Sequence, residues 1–407
     1  MKSVIILLSN SYPWGGEPFL KTEMSLLPEN LQMRIFPFFP PGKGQREDTG
    51  LWKAFPFHGS ASFGQKCMAA VHSAVNLLKQ HELQETVKYP GWIRNLIKAL
   101  KFGYISELRV ESTAREIRKE GTDRQQILLY AYWMYETAYV GARLKQLFPG
   151  SRFVTRCHGY DLYAERHPNG YLPYRKFILE SAERIYPVSQ KGLNYLKEVY
   201  SGRYDRKIQV ARLGTVRLMR PVEDYDQPNE ICIVSCSNLI PVKRVHLIIQ
   251  ALKTMKEPVK WIHFGDGTLR KELENQAQTL PQNVKAEFRG FVANEEIQRF
   301  YATHYITAFV NVSESEGVPV SVMEAESYGI PVIATDVGGT AEIIDNGGNG
   351  VLLQKNFSDS ELTEAIQCVK RQRAMFSRKA IETWERMSNA KKTTRLFYQY
   401  LEEAEQA

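Results

Sequence analysis

The chain has 407 residues, of which 43% are hydrophobic and 24% charged, and a formal net charge of +8. That length is too great for one ordinary core and suits two α/β domains of about 200 residues each, while the balance excludes a disordered chain. No uncharged apolar run nears the ~18–20 residues of a transmembrane helix, and the five scattered cysteines, Cys67, Cys157, Cys232, Cys236 and Cys368, show no disulfide framework or zinc-ligand spacing, which fits a reducing cytoplasm.

The first element is "SVIILLS", a short Val/Ile-rich run behind one lysine. It lacks a small-residue cleavage pattern and leads into "NSYPWGGEPF", so it reads as a buried strand and not as a signal peptide. A helix follows at about 20–27, then a strand in "MRIFPFF". Residues 60–145 read as mostly helical, with apolar spacing such as Trp92, Leu96, Ile97 and Leu100. "RFVTRCHGYDLY" is a strand entering a polar loop, "AERIYPVSQKGLNYLKEVY" a strand and helix, and "KIQVARLGTV" a further strand. The Pro- and acid-rich "RLMRPVEDYDQPNE" marks a domain boundary, giving an N-terminal domain over 1–217.

From 218 to 385 strands and helices alternate: "ICIVSCS", "VHLIIQALKTM", "KWIHFGDG", "LRKELENQAQTL", "VKAEFRGFV", "EEIQRFYATH", "YITAFVNVS", "VSVMEAESYG", "PVIATDV". This order predicts a doubly wound parallel sheet with helices on both faces. Two such domains in tandem would face a central cleft, and open α/β sheets bind ligands beyond the carboxyl ends of their strands. The tail, 386–407, is helical and charged and is expected to pack back on the N-terminal domain. Charge divides unevenly: residues 1–217 hold 32 Lys+Arg against 19 Asp+Glu, and the remainder is net acidic. The basic half suits an anionic partner.

"SESEGVPVSVMEAESYG" carries the chemistry. It follows an apolar strand, so Glu316 lies in the loop at the strand's carboxyl end. Pro319 suits a helix start, and Gly329 with Pro331 closes that helix. Glu324 is then inside the helix. The N–H groups of Gly317 to Val320 would sit at the positive end of the helix dipole, where phosphate or sugar oxygens bind. Gly317 allows close backbone approach. Ionised glutamates only accept hydrogen bonds, so each suits a pair of neighbouring hydroxyls. Spacing alone is not specific, since two glutamates eight apart occur by chance on solvated helices.

The longer stretch "SEGVPVSVMEAESYGIPVIATDVGGTAEII" resembles the signature of glycosyltransferase family 4, retaining enzymes with the two-domain GT-B fold. "NLIPVKRVHLIIQAL", "HFGDGTLRKELE", "FRGFVANEEI" and "NGVLL" follow the family order, and "GG" with "TRCHGYDLY" in the first half agree more weakly. The resemblance implies enzymes that build bacterial capsule, exopolysaccharide and lipopolysaccharide. It implies that Glu324 holds the ribose hydroxyls, that Glu316 contacts the donor sugar and supports positive charge at its anomeric carbon, and that the N–H groups of Val318 and Val320 bind the sugar, Pro319 between them having none. It assigns Lys243 to the diphosphate and the backbone around Phe291 and Val292 to the base. Where relatives read Gly-Arg-Leu, this chain has Ser237-Asn238-Leu239, so the usual phosphate-gripping arginine is absent. Arg244 is a partial substitute, although adjacent helix residues point apart.

Further candidates stand beside these. His158, after a strand and before Gly159, is implied to meet the donor sugar, the plainer reading being a loop-bound histidine; Asp161 reads as a loop-shaping residue. Gly15 and Gly16 would admit the diphosphate or form a simple turn, and Gly265 and Gly267 would make a tight turn beside the nucleotide. No G-x-G-x-x-G motif supports NAD, and no metal or cofactor is expected. "KYPGWIRNLIKALKF" places Lys88, Arg94, Lys98 and Lys101 among apolar residues, which would suit an anionic leaflet or an ordinary packed helix. The expectation is therefore a metal-independent retaining glycosyltransferase in the cytoplasm, peripheral on the inner face of the membrane. It would take a UDP- or GDP-linked sugar and a lipid-linked or growing polysaccharide acceptor. The alternatives are a nucleotide-sugar 2-epimerase of the same fold and a non-catalytic sugar-nucleotide or nucleic-acid binding module, although no nucleic-acid motif is present.

Overall fold

The first sheet contains β1 (Ser3–Ser9), β2 (Leu31–Pro37), β3 (Glu47–Asp48), β4 (Trp52–Ala54), β5 (Ile127–Ala131), β6 (Arg152–Cys157) and β7 (Arg184–Pro187). These come from a computed structural model that describes residues 3–15, 17–39, 47–57, 61–122, 127–222 and 229–406. The strand order is β3-β4-β2-β1-β5-β6-β7. Every pairing is parallel except β3 with β4. Val4 on β1 stands opposite Gln32 on one side and Ile127 on the other.

β1 shows why the sheet is covered on both faces. Val4, Ile6 and Leu8 point into one core, with Ala99 and Phe102 of the helix Trp92–Lys119 and Ala138 of the helix Glu136–Leu147. Ile5 and Leu7 point into the other, with Leu20 and Met24 of the helix Pro18–Ser25 and Phe397 and Leu401 of the helix Ala390–Gln406. The alternation of side chains along a strand sends successive apolar residues to opposite faces, so a continuous apolar run is what a doubly covered strand requires.

The second sheet contains β8 (Ile231–Cys236), β9 (Val259–Phe264), β10 (Val284–Phe288), β11 (Ala308–Asn311), β12 (Val332–Thr335) and β13 (Gly350–Leu353). Its order is β10-β9-β8-β11-β12-β13 and all its pairings are parallel. The order reverses between β8 and β11, and the loops leaving those two strands form the switch point where open sheets of this type bind ligands. The two sheets belong to two units, one of Met1–Ala211 with Thr394–Ala407 and the other of Arg212–Thr393. Among the described residues no helix is long and apolar enough to cross a membrane.

Three elements differ from expectation. β5 falls inside a region read as helical, because "ILLYA" is a short apolar run that periodicity cannot assign. "KIQVARLGTV" forms no strand: Gln209 N–H and Ala211 N–H bond to Ile185 and Pro187 of β7, and the remainder carries only isolated bridges. Pro319 caps the helix Val320–Ser327 with φ −72° and ψ 109° instead of opening its first turn.

Candidate functional site

The loop after β8 depends on two glycines in the following β9 turn. Gly265 has φ +132°, and a Cβ there would lie 1.9 Å from the Ser237 carbonyl oxygen. A Cβ on Gly267 would lie 2.4 Å from the Leu239 oxygen. Their absent side chains let the backbones meet, so both glycines shape the Ser237-Asn238-Leu239 turn. Asn238 itself is exposed. The chain then makes the short turn Pro241–Lys243.

Lys243 Nζ lies 2.6 Å from Glu316 Oε1, a largely buried ion pair joining the loops after β8 and β11. Asn311 Nδ2 approaches the same oxygen at 3.4 Å. The loop carrying Glu316 is pinned on several sides. Thr335 Oγ1 donates to Ser313 O at 2.6 Å, Glu314 N to Val242 O at 2.8 Å and Gly339 N to Gly317 O at 2.5 Å. Gly338, at φ +58°, packs so closely that a Cβ would stand 2.0 Å from the Glu316 carbonyl oxygen.

Arg244 has a structural role that the sequence reading did not include. It sits in the left-handed region at φ 48°. Its guanidinium donates to Val312 O at 2.9 Å, Lys355 O at 2.8 Å and Ser313 O at 3.2 Å. With three of its five N–H groups on carbonyls, the guanidinium serves as a clamp on the loop after β11.

Downstream of that loop begins the helix Val320–Ser327, in which Val322 N and Met323 N bond to the capping Pro319 O while the N–H groups of Val320 and Ser321 have no intrahelical acceptor. Val318 is buried just ahead of it, and Gly317 carries the tight contact to Gly339. Glu324, partly buried within the helix, accepts from Asn294 Nδ2 at 2.7 Å. Asn294 in turn accepts from Gln298, which accepts from Tyr328. Burial pushes the Glu324 carboxyl up to about 7, against the lowering effect of the Asn294 bond. Burial pushes the Cys236 thiol up to about 12, with Glu324 adding to the rise and Lys243 opposing it. The end of β8 therefore senses both charged groups. Beyond β10, Phe291 is 88% exposed and Val292 half-buried.

In the first unit the loop after β1 is closed on itself. Glu17 accepts from Asn10 N at 3.1 Å, Ser11 N at 2.6 Å, Tyr12 N at 2.7 Å and Trp133 Nε1 at 2.5 Å. This carboxylate therefore holds the turn that precedes Gly15 through the N–H groups of Asn10, Ser11 and Tyr12. Gly15 stands in open space at φ +150°, and Gly16 lies outside the described residues. His158 stacks on Tyr132 and meets the tilted ring of Trp133, with centroids 4.7 and 4.4 Å away. Neither of its buried ring nitrogens has a hydrogen-bond partner among the described residues. Asp161 shapes the loop as expected, accepting from His158 N at 2.6 Å and Met134 N at 2.5 Å.

Sequence reasoning missed Asn311, Asn294 and Glu17. Asn311 left a signal as a lone amide at the end of an otherwise apolar strand; Glu17 left none, because its partners are backbone groups. Among the described residues no group of three or more His, Cys, Asp or Glu side chains could hold a metal ion.

Residues 223–393 match the family model for Glycosyl transferases group 1. A relative from Escherichia coli K12, provisionally named the colanic acid biosynthesis glycosyltransferase WcaL, is 26% identical over 54% of this chain and 59% of its own length. An uncharacterized glycosyltransferase of Methanocaldococcus jannaschii is 28% identical over 70% of this chain and 73% of its own. The crystal structure of Anabaena HepE in complex with UDP superposes with a TM-score of 0.69 at 17% identity, covering 98% of this chain and 100% of that one. The chain thus has the α/β GT-B fold, and over residues 223–393 it is similar to the group 1 glycosyl transferases.

Proposed function

We propose that this chain is a retaining glycosyltransferase that moves a sugar from a nucleoside-diphosphate donor to a hydroxyl of a lipid-linked or growing polysaccharide. The observation that carries this reading is the Lys243–Glu316 pair at the switch point, close in sequence to an open helix N-terminus. Similarity to a protein crystallised with UDP and with UDP-glucose supports a UDP-linked donor, with GDP the other candidate. Similarity to a colanic acid glycosyltransferase supports a polysaccharide acceptor.

In this reaction the bond from the anomeric carbon to the β-phosphate oxygen breaks, and the acceptor oxygen bonds to that carbon on the same face. The acceptor's proton passes to the departing phosphate oxygen, and the nucleoside diphosphate leaves. Glu316 offsets positive charge at the anomeric carbon, and Lys243 with the N–H groups of Gly317, Val318 and Val320 offsets negative charge on the leaving group. Each charge-assisted contact contributes ~1.5–3 kcal/mol. Because protein groups carry the leaving-group charge, this reading assigns no metal and no cofactor. Glu324 grips the ribose hydroxyls, the backbone at Val292 meets the base, and His158 serves a sugar hydroxyl. The enzyme would work in the cytoplasm.

A thermal-shift series with UDP, GDP, ADP and CDP identifies the nucleotide, since a ligand at 100 times its dissociation constant adds about 2.7 kcal/mol. The matching sugar donor is then incubated with and without acceptor, and the product anomer read by NMR. Retained configuration in an acceptor-dependent product supports the proposal. Inversion, or epimerisation of donor alone, overturns it.

A further inference from the structure

Among the described residues, 21 large hydrophobic side chains are exposed, and 12 of them fall between Phe63 and Leu100. So strong a concentration in under a tenth of the chain marks a surface built to be covered. It lies on the helices Phe63–Lys79, Glu82–Thr86 and the start of Trp92–Lys119, with Val87 and Tyr89 on the turn between the last two.

The core does not need these side chains. The inner face of the first helix presents Ala69, Ser73, Asn76 and Leu77, and that of the third presents Asn95, Ala99, Phe102 and Gly103. The two helices meet closely: Ser73 Oγ donates to Leu100 O at 3.0 Å, and a Cβ on Gly103 would stand 2.6 Å from Ser73 Oγ. The opposite stripe of the first helix is Met68, Val71, Val75 and Leu78, at alternating three- and four-residue steps. Ile93, Ile97 and Leu100 repeat that spacing on the third helix, beside exposed Trp92.

Charge identifies the occupant. Between 62 and 101 the chain has six Lys or Arg and two Glu. Lys66, Lys79, Lys88, Arg94 and Lys101 are all exposed. Glu82 is buried, where it accepts from Tyr171 Oη and from Tyr174 N, and Glu85 is paired with Lys88 at 2.7 Å. Aliphatic and Trp side chains flanked by cations in excess of acids complement apolar acyl chains beneath anionic headgroups. We propose that this three-helix face of the first unit docks on an anionic lipid bilayer. The inference goes beyond the reading of the donor site and does not depend on it.

Co-sedimentation of the full chain with phosphatidylcholine vesicles, with and without phosphatidylglycerol, tests this without donor or turnover. The wild type should sediment with the anionic vesicles only, and added salt should release it. The double variant Val71→Glu with Ile97→Glu should lose about tenfold or more in vesicle affinity, a change that burying two charges in lipid requires. Its melting temperature and nucleotide-induced thermal shift should be unchanged. Should that variant misfold, Lys66→Gln with Lys79→Gln and Lys101→Gln decides, through a weaker and less salt-sensitive binding. Failure of the wild type to bind anionic vesicles, or binding indifferent to both variants, overturns the proposal. A concentration-dependent dimer that Val71→Glu with Ile97→Glu dissolves overturns it as well, by making the face a contact between copies of this chain.

Discussion

Glu324 is the residue whose protonation is easiest to read. Burial holds its carboxyl at about 7, well above the usual glutamate range. A raised carboxyl contributes stability that is complete below the unfolded value and lost as pH rises through about 7. Ligand binding has the opposite sign, because the ionised carboxylate accepts from the two ribose hydroxyls more strongly than the neutral acid does. Affinity for the nucleotide sugar should therefore be full above about 7 and fall as pH drops, by about tenfold between pH ~8 and pH ~6. A sugar-linked diphosphate does not itself titrate in that window, so calorimetry isolates the protein group. Glu324→Gln should bind more weakly and with a flat pH profile; a sloping profile in that variant would contradict the assignment. The glutamates were legible in the sequence because their neighbours Gly317, Pro319 and Gly329 define a strand end and a helix. Arg244 was not, because its left-handed backbone at φ 48° turns the side chain toward carbonyls that are distant in sequence.

At the scale of elements, the loop from Val312 to Gly317 is the part that must stay still. Gly338 supports it by approaching where no Cβ fits, 2.0 Å from the Glu316 oxygen, with a positive φ that favours glycine. Gly338→Ala should cost at least ~1 kcal/mol of stability from the backbone conformation alone. By displacing Glu316 it should lower transfer about tenfold or more, as small misplacements do. Chemical denaturation and steady-state kinetics check both, and a variant with wild-type values on each would show that the loop is not held from this side. The alternation of strands and helices in the second unit was readable because each strand is a short apolar run bounded by turn residues. β5 was hidden by the same property, being apolar without alternation and lying between long helices. β3 and β4 span only two and three residues, too few to leave a pattern.

At the scale of the whole chain, the last helix is a core element of the first unit and not an appended tail. From Thr394 onward the chain is grouped with the first unit, and Tyr398 Oη donates to Glu23 O at 2.8 Å. Phe397 is fully buried and lies 3.9 Å from the guanidinium of Arg156. Arg156 is paired with Glu23 at 2.6 Å in the interior. Phe397→Ala should cost ~3–5 kcal/mol through the cavity it leaves, measured as a lowered denaturation midpoint. A loss below ~1 kcal/mol would mean that the helix is peripheral to that core. The charge and helicity of this segment were legible in the sequence, but its partners Arg156 and Glu23, hundreds of residues upstream, were not.

The central claim is that Lys243 and Glu316 act together on an activated sugar, and calorimetric titration tests it most directly. The nucleotide sugar chosen by thermal shift is titrated into wild type, Lys243→Met and Glu316→Gln, each with its melting temperature recorded. Loss of the charged contacts should weaken binding about tenfold or more in each variant while the fold persists. Wild-type affinity in either correctly folded variant would contradict the account.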